Sequence, residues 1–571
     1  MKRLWVYIKP YVPIMSFGLF IKFISAIMDL LIPSVLEKII DDVVPTGEHR
    51  QIFLWGGVMV AFSVISFFCN ISANRLAAKS AGSITGAIRH DLFSSIAYLS
   101  IPQTDRFTLP SLVSRLTSDT YNINQMLSRI QRMGVRAPIL LVGGLLITMS
   151  IDSTLTLVLV AVLPFIVAIV YFVTKISVPI YTYCQKILDK MVMTVQENIT
   201  GVRVIKALSK SEYEKKRFDK VNFELSGEER RAGIIMSLSS PSTTFILNLG
   251  ISLVILVGAS RVNSGLTQPG AIIAFLSYFN IILNAMLGVT KIFILCSKGI
   301  ASGRRISEVL DAPADISVMQ LPSIADDSHI KFDNVSFSYN KVENNLTNIS
   351  FELKRGQTLG IIGPTGSGKT TIINLLLRFY DPDSGEIYID GQNIKSIEKD
   401  RLARMFGTAF QNDFLLADTI YENISYGRAL SREKILKAAH DAQADDVLKG
   451  CPEGLEHMVT ARGTNLSGGQ KQRLLIARAL AAKPEILILD DSSGGLDYRT
   501  DAELRKALAS AYSGVTSVIV AQRISSIRHA ELILVMEDGH ITAQGTHEEL
   551  IESCELYKSI SLSQMGGEID A

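Results

Sequence analysis

Six apolar runs of bilayer-crossing type constrain this chain more than any other feature. They fall at 14–36, 52–71, 135–149, 155–173, 245–262 and 271–295. Backbone polar groups in hydrocarbon must be satisfied within the segment, so each run is expected to be a helix. The 571 residues, 48% of them hydrophobic with a net charge of +2, are too many for one domain and too apolar for a soluble protein. The first run is too long for a signal peptide, lacks a small-residue cleavage site and is followed by Glu37 and Lys38, so it should stay attached. Near-neutral charge gives no reason to expect nucleic acid, and Lys215-Lys216-Arg217 and Arg230-Arg231 read as solvated faces. Cys69, Cys184, Cys296, Cys451 and Cys554 have no C-x-x-C spacing and read as reduced or packed thiols.

Lys and Arg crowd the segment before the first run and the connections 74–134 and 175–231, whereas 37–50 is net acidic and 150–154 carries only Asp152. That bias puts both termini in the cytoplasm. The two basic connections have few helix breakers and read as helices continuing out of the bilayer. Residues 1–13 set Trp5, Tyr7 and Tyr11 beside three positive charges, as in a short helix at the membrane interface. Polar groups inside spans are costly and should face a cavity or a neighbouring helix. Lys22 and Asp29 share one face of the first span; Asn280, Asn284 and Lys291 form a stripe on the sixth, with Gly288 beside it. Both stripes are candidates to line a substrate path, although interhelical hydrogen bonding accounts for the asparagines equally well.

Composition changes after Arg305. Residues 311–327, rich in Pro, Ser and Asp, read as linker, dividing the chain into 1–310, a linker 311–329 and an α/β domain 330–571. Strand-like runs occupy 330–332, 335–339, 349–353, 486–489 and 518–520, with helical segments at 431–441 and 470–482. Between the apolar runs 359–362 and 372–377 lies Gly363-Pro364-Thr365-Gly366-Ser367-Gly368-Lys369-Thr370-Thr371. Strand, glycine-rich loop and helix in that order are the context of a phosphate loop. Backbone N–H groups converge on phosphates, Lys369 reaches the β and γ groups, and the Thr370 hydroxyl can ligate Mg²⁺. The strand 486–489 ends in Asp490, the form expected of a carboxylate that holds Mg²⁺ through water.

Leu466-Ser467-Gly468-Gly469-Gln470 opens a helix twenty residues before Asp490. With the phosphate loop upstream and Leu487-Ile488-Leu489-Asp490-Asp491 downstream, the chain resembles the ATP-binding cassette (ABC) exporters, in the branch with six spans fused ahead of one nucleotide domain. The resemblance covers nearly the whole chain. It implies a six-helix, all-α membrane domain followed by an α/β P-loop nucleotide domain, with ATP and Mg²⁺ as ligands. It further implies two nucleotide domains meeting head to tail, each ATP lying between one phosphate loop and the other domain's LSGGQ turn. By position, Tyr339 matches the aromatic that stacks on adenine, Gln411 the glutamine that contacts Mg²⁺ and the attacking water, Asp497 the loop that communicates between sites, and Ser467 and Gly469 the groups that face the partner's ATP. Residues 197–206 and 212–218 resemble the second cytoplasmic connection with its coupling helix, whose counterpart in the first is expected near 115–124.

Two positions depart from the family. Asp491 stands where a glutamate normally orients the attacking water, one methylene shorter, and Gln522 stands where a histidine is expected. A misplacement of about 1 Å can cost about a hundredfold in rate, and glutamine cannot change protonation near neutral pH. Both changes fall on one half-site, while LSGGQ is intact. The expectation is a heterodimeric exporter of amphipathic drugs, lipids or peptides in a bacterial inner membrane. This chain would bind ATP but hydrolyse it poorly, and a second half-transporter would supply the competent site. A slow homodimer and a nucleotide-sensing regulatory subunit are the alternatives. Ala461, where the family often has glutamate, implies a weaker contact to a coupling helix, and Gly494-Gly495, in place of Ser-Ala, a looser link between sites. No peptidase-like segment precedes the first run, which argues against a substrate-processing peptide exporter.

Overall fold

The computed structural model describes residues 2–313, 316–411, 414–492 and 494–564; the side chains of Lys2, Val170, Thr174, Val178, Ser239, Ser240, Thr290, Lys291 and Ile294 lie outside that description. The chain forms two compact units, one of Met1–Tyr98 with Leu109–Ala312 and one of Leu99–Thr108 with Pro313–Ala571.

In the first unit, helices long and apolar enough to cross a membrane run over Arg3–Thr46, His49–Ala97, Leu109–Ile151, Ser153–Thr200, Ser211–Asn263 and Pro269–Val289, and the six apolar runs fall one to each. The basic connections are indeed largely helical, because the spans overrun their apolar windows: the second continues to Ala97, the fourth to Thr200, and the sixth belongs to a helix reaching Leu310. Ala26, Leu30, Leu159, Val162, Ile166, Tyr278, Phe279 and Ile282 form the apolar centre. The buried Tyr278 hydroxyl is satisfied: it donates to Leu30 C=O at 2.6 Å, with Ser34 Oγ also at 2.6 Å. Small residues let the helices close up, since a Cβ on Gly250 would sit 2.6 Å from the Phe279 ring. Asp152, alone in its acidic link, caps the fourth span by accepting from the Thr154 and Leu155 N–H groups and also takes Arg261 Nε at 2.8 Å.

The first connection differs from expectation. The stretch 115–124 holds a π-helical turn, Arg115–Asp119, buried against the last span: Arg115 Nη2 reaches Glu308 at 3.0 Å and Asp119 accepts from Ser302 at 2.8 Å. A short helix, Ile101–Phe107, lies further upstream and clusters with the second unit. There Asp105 accepts from the Tyr380 hydroxyl at 2.5 Å, and Gln103 Nε2 donates to Pro313 C=O at 2.5 Å.

The second unit carries two sheets. Strands β1 (Ile330–Phe337), β2 (Leu346–Leu353), β4 (Ser384–Ile389) and β5 (Gln392–Asn393) form an antiparallel sheet in the order β2-β1-β4-β5. Strands β3 (Thr358–Ile362), β6 (Phe406–Ala409), β7 (Ile486–Asp490), β8 (Thr516–Val520), β9 (Leu532–Glu537) and β10 (His540–Gly545) form the other, ordered β10-β9-β3-β8-β7-β6. The runs 330–332 and 335–339 prove to be one strand, ending at Phe337 and interrupted by a bulge at Asn334, whose φ is 48°. Between the units' helices and sheets, residues 316–328 are irregular yet held by backbone bonds, Met319 N–H to Lys395 C=O and Ile324 N–H to Gly391 C=O, both 2.8 Å.

Candidate functional site

Parallel pairing of β3, β8, β7 and β6 brings four strand ends to one edge, and open α/β sheets bind ligands outside the carboxyl ends of their strands. From β3 the chain enters Gly363–Gly368 and then the helix Lys369–Leu376. Gly368, the residue before that helix, has φ 95°; a Cβ there would lie 2.6 Å from Leu346 Cδ2 and 2.9 Å from Asn345 C=O. Gly366, at φ 89°, faces open space, leaving room for a phosphate against the backbone. Lys369 Nζ lies over the loop, donating to Gly363 C=O at 2.9 Å and Pro364 C=O at 2.7 Å.

From β7 comes Asp490, 3% exposed and accepting from the Thr370 hydroxyl. Asp491 follows at φ 48°, its N–H bonded to Val520 C=O. Register pairs Asp490 with Val520, so Gln522, just past β8, lies beside Asp491; Gln411, just past β6, approaches from the other side. Both glutamines donate to one oxygen, Asp491 Oδ2, from Gln411 Nε2 at 3.0 Å and from Gln522 Nε2 at 2.7 Å. Burial pushes the Asp490 carboxyl up against the Thr370 hydrogen bond, pushes Asp491 up against that of Gln522, and pulls the Lys369 ammonium down against the two carboxylates.

A cavity of about 340 Å³ gathers Thr365, Gly366, Gly368, Lys369, Thr370, Thr371, Gln411, Asp490, Asp491 and Gln522, together with Asn345, which no motif signals. The donor set suits Mg²⁺: the Thr370 hydroxyl, the Asp490 carboxylate and the Gln411 amide are hard oxygen ligands within one cavity. Tyr339 is not among the lining residues. It is half exposed, edge-on to Phe337 and Tyr380, and its hydroxyl accepts from Asn374 Nδ2 at 2.9 Å. Ser467 and Gly469 also lie outside this cavity. Ser467 caps the helix Gly468–Ala481 in a capping box, its Oγ accepting from Gln470 N–H at 3.3 Å and its N–H donating to Gln470 Oε1 at 2.8 Å. Asp497 likewise caps the helix Tyr498–Ala511.

In the membrane unit a second cavity, of about 430 Å³, is lined by Asp29, Asn280 and Asn284 with the apolar Met133, Leu140 and Ile281. It also includes Arg136, which the sequence reading missed because it sits at the start of an apolar run; Arg136 Nη2 pairs with Asp29 at 2.8 Å. Asn280 and Asn284 donate back to the Leu276 and Asn280 carbonyls. Lys22 is placed elsewhere, buried and donating to Asn70 at 2.7 Å and Asn74 at 3.2 Å. The Lys291 side chain lies outside the described residues.

Six membrane helices and a phosphate-loop unit on one chain define a membrane transporter driven by nucleotide. Residues 15–286 match the ABC transporter transmembrane region and residues 346–494 the ABC transporter domain. The chain belongs to the ABC transporter family, in its exporter arrangement, for which ATP-driven transport is general. It is 34% identical to the uncharacterized ABC transporter ATP-binding protein YfiB of Bacillus subtilis, over 100% of this chain and 99% of that one. It is 30% identical to an ATP-dependent lipid A-core flippase of Idiomarina loihiensis, covering 99% and 98% of the two chains. A solved bacterial Atm1-family ABC exporter with ATP bound superposes with a TM-score of 0.82 at 22% identity, over 98% of this chain and 99% of that one, which shows the shared fold.

Proposed function

We propose that this chain is one half of a heterodimeric exporter: its own phosphate-loop site holds ATP as a clamp, and its Ser467–Gln470 turn completes the hydrolytic site of a second half-transporter. The observation that carries this reading is the occupation of Asp491. Its Oδ2 takes both the Gln411 and the Gln522 amides, and neither amide can accept or release a proton near neutral pH. With a side chain one methylene short of the family's glutamate, Asp491 serves as the anchor of two glutamines and not as the base that aims water. Gly363–Thr371 remain a complete phosphate cradle, with Lys369 for the β and γ groups and Thr370, Gln411 and Asp490 as the residues that would hold Mg²⁺. When bound, that ion neutralises charge on the terminal phosphates. Ser467 and Gly469 stand clear of the cavity, as suits residues that serve another chain's ATP.

ATP binding favours the closed pair of nucleotide domains by its differential affinity for that state, and hydrolysis at the competent site releases it. The half-apolar cavity around Asp29, Arg136, Asn280 and Asn284 is read as part of the substrate path and suits an amphipathic compound. The lipid-flipping relative supports that class. Both termini and the nucleotide unit are assigned to the cytoplasm of a bacterial inner membrane.

The test is steady-state ATP turnover by the purified chain, alone and with the similar half-transporter expected to be encoded beside it. The expected result is little turnover alone and full turnover in the pair. Robust turnover alone that Asp491→Asn abolishes would replace this reading with a homodimer. Substrate accumulation in proteoliposomes that requires hydrolysis excludes a purely regulatory subunit.

A further inference from the structure

The helix Glu555–Gln564 is fixed to the nucleotide unit by buried contacts. Tyr557 is fully enclosed with its hydroxyl 2.8 Å from His547 Nδ1, and it shares an apolar cluster with Ile524, Ile527, Ile533 and Val535. Gln564 lies in the last described turn of this helix. Its Oε1 accepts from Ile524 N–H at 2.8 Å, and its Nε2 donates to Gln522 C=O at 2.7 Å. A donor on one side and an acceptor on the other fix which way the amide faces. One side chain therefore brackets the backbone of residues 522–524, while Arg523 between them rests on the Tyr498 ring at 4.7 Å. Gln522 itself is exposed, so packing does not hold its side chain, and its Nε2 donates to Asp491 Oδ2 at 2.7 Å from the backbone that Gln564 brackets. Ser561, Ser563 and Gln564 line one cavity of about 570 Å³ together with Asp491, Gly494 and Gln522.

We propose that Gln564 is a positioning residue of the nucleotide site: the C-terminal helix, through this one amide, keeps Gln522 aimed at Asp491 and at the place of the γ-phosphate. The inference rests on the reading that this half-site holds ATP. Gln564 belongs to no motif, and its role depends on a contact with a loop 40 residues upstream.

The experiment measures equilibrium binding of ATP and of ADP, separately, to the detergent-solubilised full chain, with melting temperature as a companion. Gln564→Ala should weaken ATP by about threefold to tenfold, the effect of a lost hydrogen bond, and leave ADP unchanged because ADP has no γ-phosphate. Gln522→Ala should do the same, and the double variant should be no weaker than either single one, because both remove one unit. Gln564→Glu keeps the acceptor for Ile524 N–H but loses the donor to Gln522 C=O, and it should repeat the ATP loss at an unchanged melting temperature. Equal losses for ATP and ADP, no ATP loss, or losses that multiply in the double variant would each overturn the proposal. Wild-type binding that ignores Lys369→Ala would overturn the half-site reading and this inference with it; Lys369-dependent binding with multiplying losses would overturn this inference alone.

Discussion

Asp491→Asn separates the two roles a carboxylate can play at this position. A proton-accepting residue contributes about 10²–10⁴ to turnover, so its loss would leave a nearly silent transporter. In the structure Asp491 is instead the shared acceptor for Gln411 and Gln522 through one oxygen. Asparagine is nearly isosteric and can present its amide oxygen to the same two donors. A hydrogen bond to a charged group is worth about 1.5–3 kcal/mol and one to a neutral group about 1 kcal/mol, so the swap weakens each bond by about 1 kcal/mol. The two bonds together weaken by about 2 kcal/mol, which, felt in full at the nucleotide, corresponds to about a thirtyfold loss of ATP affinity at this half-site. The assay is ATP turnover of the assembled pair in proteoliposomes at saturating ATP, where a weakened clamp is still filled. The expected rate stays within about threefold of the parent, far from the loss that general-base removal produces. A fall of a hundredfold or more would refute the reasoning and make Asp491 a working base.

Three further outcomes follow from particular contacts. Gly368→Ala imposes a Cβ on a residue at φ 95° that already abuts Leu346 and Asn345; left-handed strain of about 1–3 kcal/mol is expected, with loss of nucleotide binding in a filter or fluorescence assay. Arg136→Ala removes the cation paired with Asp29 in the membrane unit, with Ser66 still at 2.5 Å among the described residues; the pair is partly exposed, so thermal stability should fall by about 1 kcal/mol and recover in Arg136→Ala with Asp29→Asn. His329 is enclosed, with Nδ1 2.6 Å from Thr516 Oγ1; burial holds its imidazole below its ordinary value against Asp390, with Arg355 adding to the effect. A lowered folded-state value means that stability is complete above the ordinary imidazole pKa and is lost as pH falls through the lowered one. The melting temperature of His329→Gln should therefore decline less steeply between neutral and mildly acidic pH, and an unchanged slope would show that His329 does not carry the acid sensitivity.

Much of the architecture is written in short-range pattern. The spans declare themselves because a bilayer demands long apolar helices, and the phosphate loop because glycines, lysine and threonine recur at spacings the chemistry needs. What escapes is set by residues far apart in the chain. Arg136 reads as the polar border of a span until Asp29, 107 positions earlier, is brought against it. The short helix Ile101–Phe107 did leave a local signal: Ser100 and Gln103 form a capping box with Pro102 at the helix start. The break in β1 shows in the sequence as two runs; what the runs do not show is their continuity, which comes from pairing with β2 and β4 on both sides of the left-handed Asn334. Convergence of Gln411, Asp491 and Gln522 was inferred from family order, and the parallel register of β7 on β8 supplies its physical cause.

The Ser467 hydroxyl spends one lone pair on its own helix, accepting from Gln470 N–H while Gln470 returns the favour to the serine backbone. Among the described residues no acceptor takes its single hydrogen, which lies at the positive end of a helix dipole. The turn is thus held before any anion arrives: in the proposed role, a docking phosphate would meet a donor already in place, with little freedom left to lose on contact. Threonine at this position could repeat the arrangement; alanine would both fray the helix and leave the visitor without its hydrogen-bond donor.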